Sequence, residues 1–165
     1  MYRIILIGGV SSSLQTLKKL VEYKFNIIAV FGYEPYDITK VSGYISLKSF
    51  CLENNINYIP YVNINENEIV QEIKKLNPDI IFAVGFSQIL SKDILSIPKK
   101  GIVGFHPTVL PKGRGRAPIA WLVLDQKYGA ATYFLVQDGV DNGPIFVQSK
   151  FKIVKHDDAQ TVEKK

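Results

Sequence analysis

The chain of 165 residues is poor in features that would place it outside the cell or in a membrane. It has a single cysteine, Cys51, which cannot form an internal disulfide. No apolar run reaches the roughly 20 residues that a membrane-spanning helix needs. The first ten residues have no cationic stretch and no small-residue cleavage site, so they do not fit a secretory signal peptide. These absences favour a reducing, cytoplasmic setting.

Several common binding motifs are missing as well. The net charge is +5, but the lysines are scattered, and charge alone therefore gives little support for nucleic-acid binding. No spacing of histidine, cysteine and carboxylate side chains indicates a metal site. Gly8-Gly9 does not continue into a G-x-G-x-x-G pattern, and no Walker spacing is present. A nicotinamide dinucleotide site and a P-loop are both disfavoured.

Short apolar runs alternate with amphipathic segments along most of the chain. We predict strands at 2–7, 26–31, 57–62, 79–84 and 101–105. We predict helices at 14–23, 47–53, 65–76 and 118–125. This alternation predicts an α/β fold, Rossmann-like, with a mainly parallel sheet flanked by helices. Ligands of such sheets bind beyond the carboxyl ends of the strands, where Gly8-Gly9 and Gly104 to His106 lie.

The pattern changes near the C-terminus. Strands predicted at 130–136 and 145–154 are joined by "QDGVDNGP", which indicates an antiparallel pair. Asp157 or Asp158 is expected to cap a helix that starts near Ala159. Because Lys165 falls within the first turns of that helix, we expect residues 1–165 to form one catalytic domain that is cut short there.

Two polar residues stand out as candidates for chemistry. His106 ends an apolar strand and precedes Pro107, which holds the backbone extended and fixes the direction of the imidazole. Such a ring suits general acid or base work, although it can equally be satisfied by a nearby carbonyl. Asp141 lies in the predicted loop, where it can orient His106, and Asp138 is its rival. His156 is expected to be an exposed surface residue.

A glycine- and arginine-rich segment follows the histidine. Arg114 and Arg116 can bind a carboxylate or phosphate through two hydrogen bonds each. Alternatively, Gly113 and Gly115 simply permit positive φ in an irregular loop.

Together these residues resemble a known family. "GFHPTVLPKGRGRAPIAW" at 104–121, followed by "GVDNGPIFVQ" at 139–148, is similar to the motifs of the folate-dependent formyltransferases. This family includes transferases that act on methionyl-tRNA, glycinamide ribonucleotide and nucleotide-linked amino sugars, and the hydrolase domain of formyltetrahydrofolate dehydrogenase. The resemblance extends over "YRIILIGG" at 2–9, "PDIIFAVGFSQIL" at 78–90 and "DDAQTVEKK" at 157–165.

The resemblance implies transfer of a formyl group from 10-formyltetrahydrofolate to a primary amine. It implies that His106 and Asp141 are catalytic and that the pterin of the folate binds along two segments. Those folate-binding residues are Phe86, Ser87, Gln88, Ile89, Leu90, Gln137, Asp138, Gly139 and Val140. Gly8, Gly9, Arg114 and Arg116 are the candidates for binding the acceptor, and no metal is implied.

One position departs from the family pattern. Most transferases of the family carry asparagine where this chain has Gly104, on the same side of the strand as His106. Loss of one oxyanion donor typically lowers the rate on the order of 10²–10³-fold. A neighbouring group or water can replace the amide, Gly104 can leave room for another acceptor or loop, or the reaction can be hydrolysis.

The acceptor is expected to be a small-molecule amine, foremost an amino sugar attached to a nucleotide. Methionyl-tRNA, hydrolysis of the formyl donor to formate, and a folate- or nucleotide-binding domain without catalysis are the alternatives. Membrane binding is not expected, and a homodimer is one option for the oligomeric state.

Overall fold

The computed structural model describes residues 1–125 and 128–165, and the predicted alternation of strands and helices is present in them. The chain divides into an N-terminal unit, Met1–Val103, and a C-terminal unit, Gly104–Lys165. The border between the two units falls inside one strand, two residues before His106.

The strands form one seven-stranded sheet in the order β3-β2-β1-β4-β5-β6-β7. They are β1 (Ile4–Gly8), β2 (Ile27–Tyr33), β3 (Tyr58–Tyr61), β4 (Ile80–Ala83), β5 (Ile102–Thr108), β6 (Tyr128–Leu135) and β7 (Ile145–Lys152). β1 pairs in parallel with β2 and β4, and β2 pairs in parallel with β3, whereas β6 and β7 are antiparallel. The prediction of a mainly parallel sheet with an antiparallel pair near its end is confirmed.

Six helices accompany the strands in the described part of the chain. They are α1 (Ser11–Glu22), α2 (Lys48–Glu53), α3 (Asn67–Leu76), α4 (Lys92–Leu95), α5 (Pro118–Asp125) and α6 (Ala159–Glu163). The predicted helices at 14–23, 47–53, 65–76 and 118–125 correspond to α1, α2, α3 and α5. The helix expected from Ala159 is α6, and Asp158 caps it, since the Thr161 amide donates to Asp158 Oδ1 at 2.8 Å.

The core of the N-terminal unit forms around β1, all of whose residues are buried. On α1, Leu17 and Leu20 are buried in this core, as the helical spacing predicts. Each such side chain contributes roughly 1.5–3 kcal/mol when it is fully buried. Cys51 belongs to the same cluster, and burial raises the pKa of its thiol to about 11, so the thiol is a core residue rather than a nucleophile.

The junction between β1 and α1 is held by Ser13. Its Oγ accepts hydrogen bonds from the amides of Gly9, at 3.1 Å, and Val10, at 3.2 Å, and donates to the Val84 carbonyl at 2.6 Å. A Cβ added at Gly8 would overlap Ser13 Oγ and the Val84 carbonyl. Glycine is therefore required at Gly8 by packing alone.

The structure corrects several predicted boundaries. β2 continues beyond the predicted end at 31 through Gly32 and Tyr33, and β5 continues beyond 105 through Pro107 to Thr108. Proline keeps φ in the extended range and lacks only the donor, so an apolar strand tolerates it where no ladder bond is needed. A 3₁₀ turn at Ile38–Lys40 and the short helix α4 were not predicted, because so few residues show no periodicity.

In the C-terminal unit, α5 and α6 share a small core with the end of the hairpin. Its buried residues are Leu122, Ile153 and Val162. β6 and β7 pair from Tyr128–Lys152 to Phe134–Ile145, and the loop between them contains Asp141. The hairpin therefore extends about seven residues along each strand before the chain reverses at the loop that the sequence singled out.

Candidate functional site

His106 lies within β5, and the strand alternation gives its ring a buried position. Gly104, His106 and Thr108 are buried, whereas Phe105 and Pro107 between them are half-buried. Only 6% of His106 is exposed. Because successive residues of a strand point to opposite faces, Gly104, His106 and Thr108 share one face, as predicted.

Both ring nitrogens of His106 face polar groups of the C-terminal unit. Nε2 lies 2.8 Å from the Gly113 carbonyl oxygen, and Nδ1 lies 3.6 Å from Asp141 Oδ2. A carbonyl can only accept, so Nε2 carries the proton and donates it. The carboxylate opposite Nδ1 lies just beyond hydrogen-bond distance, where it attracts the ring in its protonated form.

Asp141 is held in place by its own backbone and by the glycine-rich loop. Its φ is 46°, in the left-handed region that aspartate enters more readily than most residues. Its Oδ2 accepts a hydrogen bond from the Gly115 amide at 2.9 Å. Its side chain is 20% exposed, so one edge of the carboxylate remains open to solvent. The predicted pairing of Asp141 with His106 is therefore present in the geometry.

The segment from Pro111 to Ala117, which we call the glycine loop, encloses the histidine. Gly113 and Gly115 have φ of 72° and 97°, so the expected positive φ is confirmed at both glycines. Thr108 Oγ1 donates to the Lys112 carbonyl at 2.8 Å and ties the loop to β5. The loop thus offers one carbonyl to His106 and one amide to Asp141.

The backbone groups of Gly113 and Gly115 were missed as site components by the sequence analysis. No side-chain pattern marks them, because their contribution is a carbonyl and an amide whose direction depends on backbone dihedrals. The only sequence signal is the pair of glycines itself, which indicates unusual φ without indicating a partner.

The space beside Gly104 is filled by apolar side chains. A Cβ built at Gly104 would lie 2.8 Å from Phe134 Cζ and 2.9 Å from Val136 Cγ2. Phe134 and Val136 therefore occupy the space beside Gly104, which speaks against the alternative that Gly104 leaves room there for an acceptor or a loop. Phe134 and Val136 themselves have no side-chain donor with which to replace an asparagine amide.

The folate-binding candidates of the N-terminal unit lie in the segment after β4. Gln88 uses its side chain to join two loops, accepting from the Ile64 amide at 2.9 Å and donating to the Val62 carbonyl at 2.6 Å. Leu90 is buried, Phe86 is half-buried, Ser87 is exposed and Ile89 is 69% exposed. Their assignment to the folate stays a prediction.

The candidates of the β6–β7 loop lie in the C-terminal unit. Gln137, Asp138, Gly139 and Val140 are exposed. Gly139 has a φ of 120°, and Asn142 Nδ2 donates to the Asp138 carbonyl at 3.0 Å, which braces the loop just before Asp141. This bracing fits a loop that presents a fixed backbone, and its role in folate binding also stays a prediction.

Gly8 and Gly9 are buried, and the Gly9 amide already donates to Ser13 Oγ, so their contacts give them a packing role. Arg114 and Arg116 are exposed. Within residues 1–125 and 128–165, neither arginine forms a hydrogen bond or ion pair. His156 is exposed, as predicted.

A cleft of about 700 Å³ opens next to the glycine loop in the C-terminal unit. Its walls combine cations, aromatic rings and apolar side chains of β5, α5, β6 and β7. They are Thr108, Val109, Lys112, Gly113, Arg114, Pro118, Trp121, Leu122, Asp125, Tyr128 and Lys150. Arg114 lines this cleft and Arg116 does not.

No group of three or more histidine, cysteine and carboxylate side chains in the described part of the chain could hold a metal ion. No helix in that part of the chain is long and apolar enough to cross a bilayer.

Comparison with known proteins identifies the family. The formyl transferase family model matches residues 4–165. The chain belongs to the formyltransferase family. The methionyl-tRNA formyltransferase of Clostridioides difficile strain 630 is 33% identical over 155 residues, which are 92% of this chain and 50% of the relative. The Clostridium perfringens strain 13 enzyme of the same name is 35% identical over 92% of this chain and 50% of its own length.

Solved formyltransferases share the fold at lower identity. Glycinamide ribonucleotide transformylase 1 of Geobacillus kaustophilus superposes with a TM-score of 0.81 at 19% identity, over 99% of this chain and 89% of its own. The sugar 3N-formyl transferase WlaRD, solved with dTDP and 5-N-formyl-THF, superposes with a TM-score of 0.72 at 22% identity. The superposition covers 99% of this chain and 56% of WlaRD. The chain spans about half the length of the curated relatives it matches.

Proposed function

We propose that this protein transfers a formyl group from 10-formyltetrahydrofolate to a primary amine. The observation that carries the proposal is the buried His106, whose ring lies between the Gly113 carbonyl and the Asp141 carboxylate. Membership of the formyltransferase family supports the reaction class. Arg114 and Arg116 add exposed positive charge nearby in the sequence, which suits an acceptor with anionic groups.

In the proposed reaction the amine attacks the formyl carbon, so that a new C–N bond forms and the carbonyl oxygen becomes an oxyanion. The bond from the formyl carbon to N10 of the folate then breaks. The amine gives up a proton, and N10 takes one as it leaves. A donor placed at the oxyanion is usually the largest single contribution to such catalysis.

His106 is the group that can supply this donor in the C-terminal unit. Its Nε2–H is held by the Gly113 carbonyl in the structure, so the glycine loop has to release it before it can bind an oxyanion. Asp141, facing Nδ1, stabilises the ring when it is charged and can pass a proton to or from it. Gly104 adds no second donor, and Phe134 and Val136 make its surroundings apolar.

The proposed acceptor is an amino sugar attached to a nucleotide. The cleft beside the glycine loop supports a compact acceptor that combines charge with a flat apolar group. Methionyl-tRNA is the second candidate, and the specific observation in its favour is the 33% identity to a methionyl-tRNA formyltransferase.

The test mixes the purified protein with 10-formyltetrahydrofolate and each acceptor, namely a nucleotide-linked amino sugar and methionyl-tRNA. Release of tetrahydrofolate and the mass of the formylated product are followed. We expect release that depends on the amino sugar. Release that depends on methionyl-tRNA alone would overturn the small-molecule acceptor, and formate release without any amine would overturn transfer in favour of hydrolysis.

A further variant and a binding measurement distinguish an enzyme that uses another acceptor from a domain that has no catalytic activity. If the wild-type protein turns over any amine, His106→Ala is expected to abolish that activity. Folate binding by calorimetry with no turnover of either acceptor would instead show a binding domain without catalysis.

A further inference from the structure

We infer that the cleft beside the glycine loop binds the nucleoside diphosphate part of the acceptor, with phosphates at Lys112, Arg114 and Lys150 and the base against Trp121 and Tyr128. This inference rests on the proposed function, since it names where its acceptor is held. It goes further in giving a binding role to Trp121, Tyr128 and Lys150, to which the family resemblance assigns none.

The charge of the cleft is the first argument. Lys112, Arg114 and Lys150 are exposed and line it from two sides, the glycine loop and β7. Within the two described ranges none of these three cations has an ion-pair partner. The cleft therefore holds three cations against the single carboxylate of Asp125. An arginine and two lysines that converge on one cleft favour an anion with several oxygens, which a diphosphate supplies.

The aromatic side chains are the second argument. Trp121 is 62% exposed and Tyr128 is 58% exposed, although both are large rings at the wall of a cleft. Flat π-surfaces of this kind stack on nucleobases, and they do so with little preference for one base. Leu122, buried at the same wall, gives the cleft an apolar floor on which a base would lose water.

Asp125 provides the cleft with a hydrogen-bond acceptor for the ribose of the nucleotide. It lies at the C-terminal end of α5, in the same cleft as Trp121, and its carboxylate can only accept hydrogen bonds. The hydroxyl groups of a ribose are donors of the required kind, and they lie between the base and the phosphates of a nucleotide. The cleft thus offers a partner for each part of a nucleoside diphosphate, namely cations, a carboxylate and aromatic rings.

The position of the cleft is the third argument. Gly113 and Thr108 line it, and these same residues surround His106, because Gly113 accepts the Nε2–H bond and Thr108 follows two residues later in β5. A ligand held in the cleft therefore lies against Gly113, whose carbonyl accepts the hydrogen bond from His106 Nε2. This proximity suits the nucleotide part of an acceptor whose sugar amine reaches the histidine.

The experiment measures binding of UDP and of dTDP to the purified protein by calorimetry, with uridine and pyrophosphate as the separate halves of the ligand. Arg114→Ala, Lys150→Ala and Trp121→Ala are each expected to weaken UDP binding about tenfold or more. Pyrophosphate binding should be reduced by the two cation variants only, and uridine binding by Trp121→Ala only. Far-UV circular dichroism and the urea midpoint establish that each variant is folded.

Two matched controls come from the same elements. Lys152→Ala removes an exposed cation of β7 that does not line the cleft, and Leu124→Ala removes an apolar side chain of α5 that is 71% exposed and outside it. Both should leave UDP binding within about twofold of the wild type. Equal losses in the controls and in the cleft variants would overturn the assignment, because the effect would then be one of overall charge or helix stability.

Failure of this inference is distinguishable from failure of the proposed function. Nucleotide binding that depends on Arg114, Lys150 and Trp121 supports the cleft even if no amine is formylated. Formylation of an amino sugar with a KM that the same three substitutions leave unchanged overturns the cleft and keeps the function. Formylation of methionyl-tRNA by a protein that binds neither UDP nor dTDP also overturns it.

Discussion

At the scale of single residues, the central feature is a histidine whose two ring nitrogens both face polar groups. Nε2 of His106 is bound to the glycine loop, and Nδ1 faces Asp141. Burial alone requires polar partners for an imidazole. These two partners also fix the tautomer and the direction of the ring, which a residue that handles protons needs.

The first prediction concerns this pair. His106→Ala is expected to lower kcat by about 10²–10⁴-fold, the usual contribution of a positioned acid or base. Asp141→Asn retains an oxygen that can accept from the Gly115 amide but removes the charge opposite Nδ1, so it should lower kcat while leaving the urea midpoint unchanged. Initial rates of tetrahydrofolate release measure both effects.

His156→Ala is the control, because His156 is an exposed histidine far along the chain from the glycine loop. Its activity should equal that of the wild type. An Asp141→Asn protein with full activity would contradict the role of the carboxylate in supporting the ring.

The second prediction concerns Gly104. Gly104→Asn is expected to destabilise the protein by about 1–3 kcal/mol, since the new side chain overlaps Phe134 and Val136. The free energy of unfolding in urea measures this. Adding Phe134→Leu and Val136→Ala should recover part of the loss, because both substitutions shorten the side chains that the asparagine meets.

Phe134→Leu and Val136→Ala without the asparagine are the controls, and each should be destabilising on its own because it opens space beside Gly104. If Gly104→Asn alone were as stable as the wild type, the space beside Gly104 would not be closed. In that case the restored amide should also raise kcat.

At the scale of elements, the short helix α6 depends on a capping hydrogen bond as well as on packing. α6 is only five residues long, too short to be stable by itself. Asp158 accepts from the Thr161 amide, and Thr161 Oγ1 accepts from the Asp158 amide at 2.8 Å. This reciprocal pair, together with the burial of Val162 against α5, keeps the helix in place.

The third prediction tests this cap. Asp158→Ala is expected to lower the free energy of unfolding by about 1 kcal/mol, the usual loss for an N-cap. Asp158→Asn keeps an oxygen that can accept from the Thr161 amide and should lose much less. Urea titrations of the two variants compare them directly, and equal losses would show that the charge rather than the hydrogen bond stabilises α6.

Elements of this protein are predictable from sequence to the extent that periodicity marks them. β1 and α3 are found because an apolar run or an amphipathic repeat is long enough to be recognised. The end of β5 was placed too early, since Pro107 looks like a stop although it lies in an extended strand. The four-residue helix α4 depends on its Ser91 cap and on tertiary contacts, which no local pattern reveals.

At the scale of the whole molecule, the sequence suffices for the fold and for the proximity of His106 and Asp141 but not for their surroundings. The alternation of strands and helices, together with the motif around His106 and Asp141, predicts both. The cleft joins Thr108, Trp121 and Lys150, which are far apart in sequence. Only the folded chain brings such residues together, so no spacing in the sequence could indicate them.

The fourth prediction concerns acid stability of the whole protein. Hydrogen bonds hold the pKa of Asp79 below its ordinary value, and the bond from the Arg3 amide contributes most. The pKa of Asp157 is also lowered, chiefly by the hydrogen bond from the Lys165 side chain. A carboxylate whose pKa is lowered on folding stabilises the native state above the pKa of the unfolded chain, about 3.9 for aspartate. That stabilisation is lost as the pH falls from the pKa of the unfolded chain to the lower pKa of the folded protein.

Urea midpoints measured from pH 7 down to pH 2.5 should therefore be constant near neutrality and fall below about pH 4. Asp79→Asn should lower the midpoint at pH 7 and flatten its decline in acid, because the variant has one fewer carboxylate to protonate. A decline that is just as steep in the variant would contradict the role given to Asp79.

The crowding at Gly104 also has an evolutionary consequence. An asparagine at 104 would meet Phe134 and Val136, so the cost of that substitution depends on the size of these two side chains. Glycine at 104 should therefore be inherited together with bulky residues at 134 and 136, whereas relatives with asparagine should carry smaller ones. An alignment of close relatives would test that linkage.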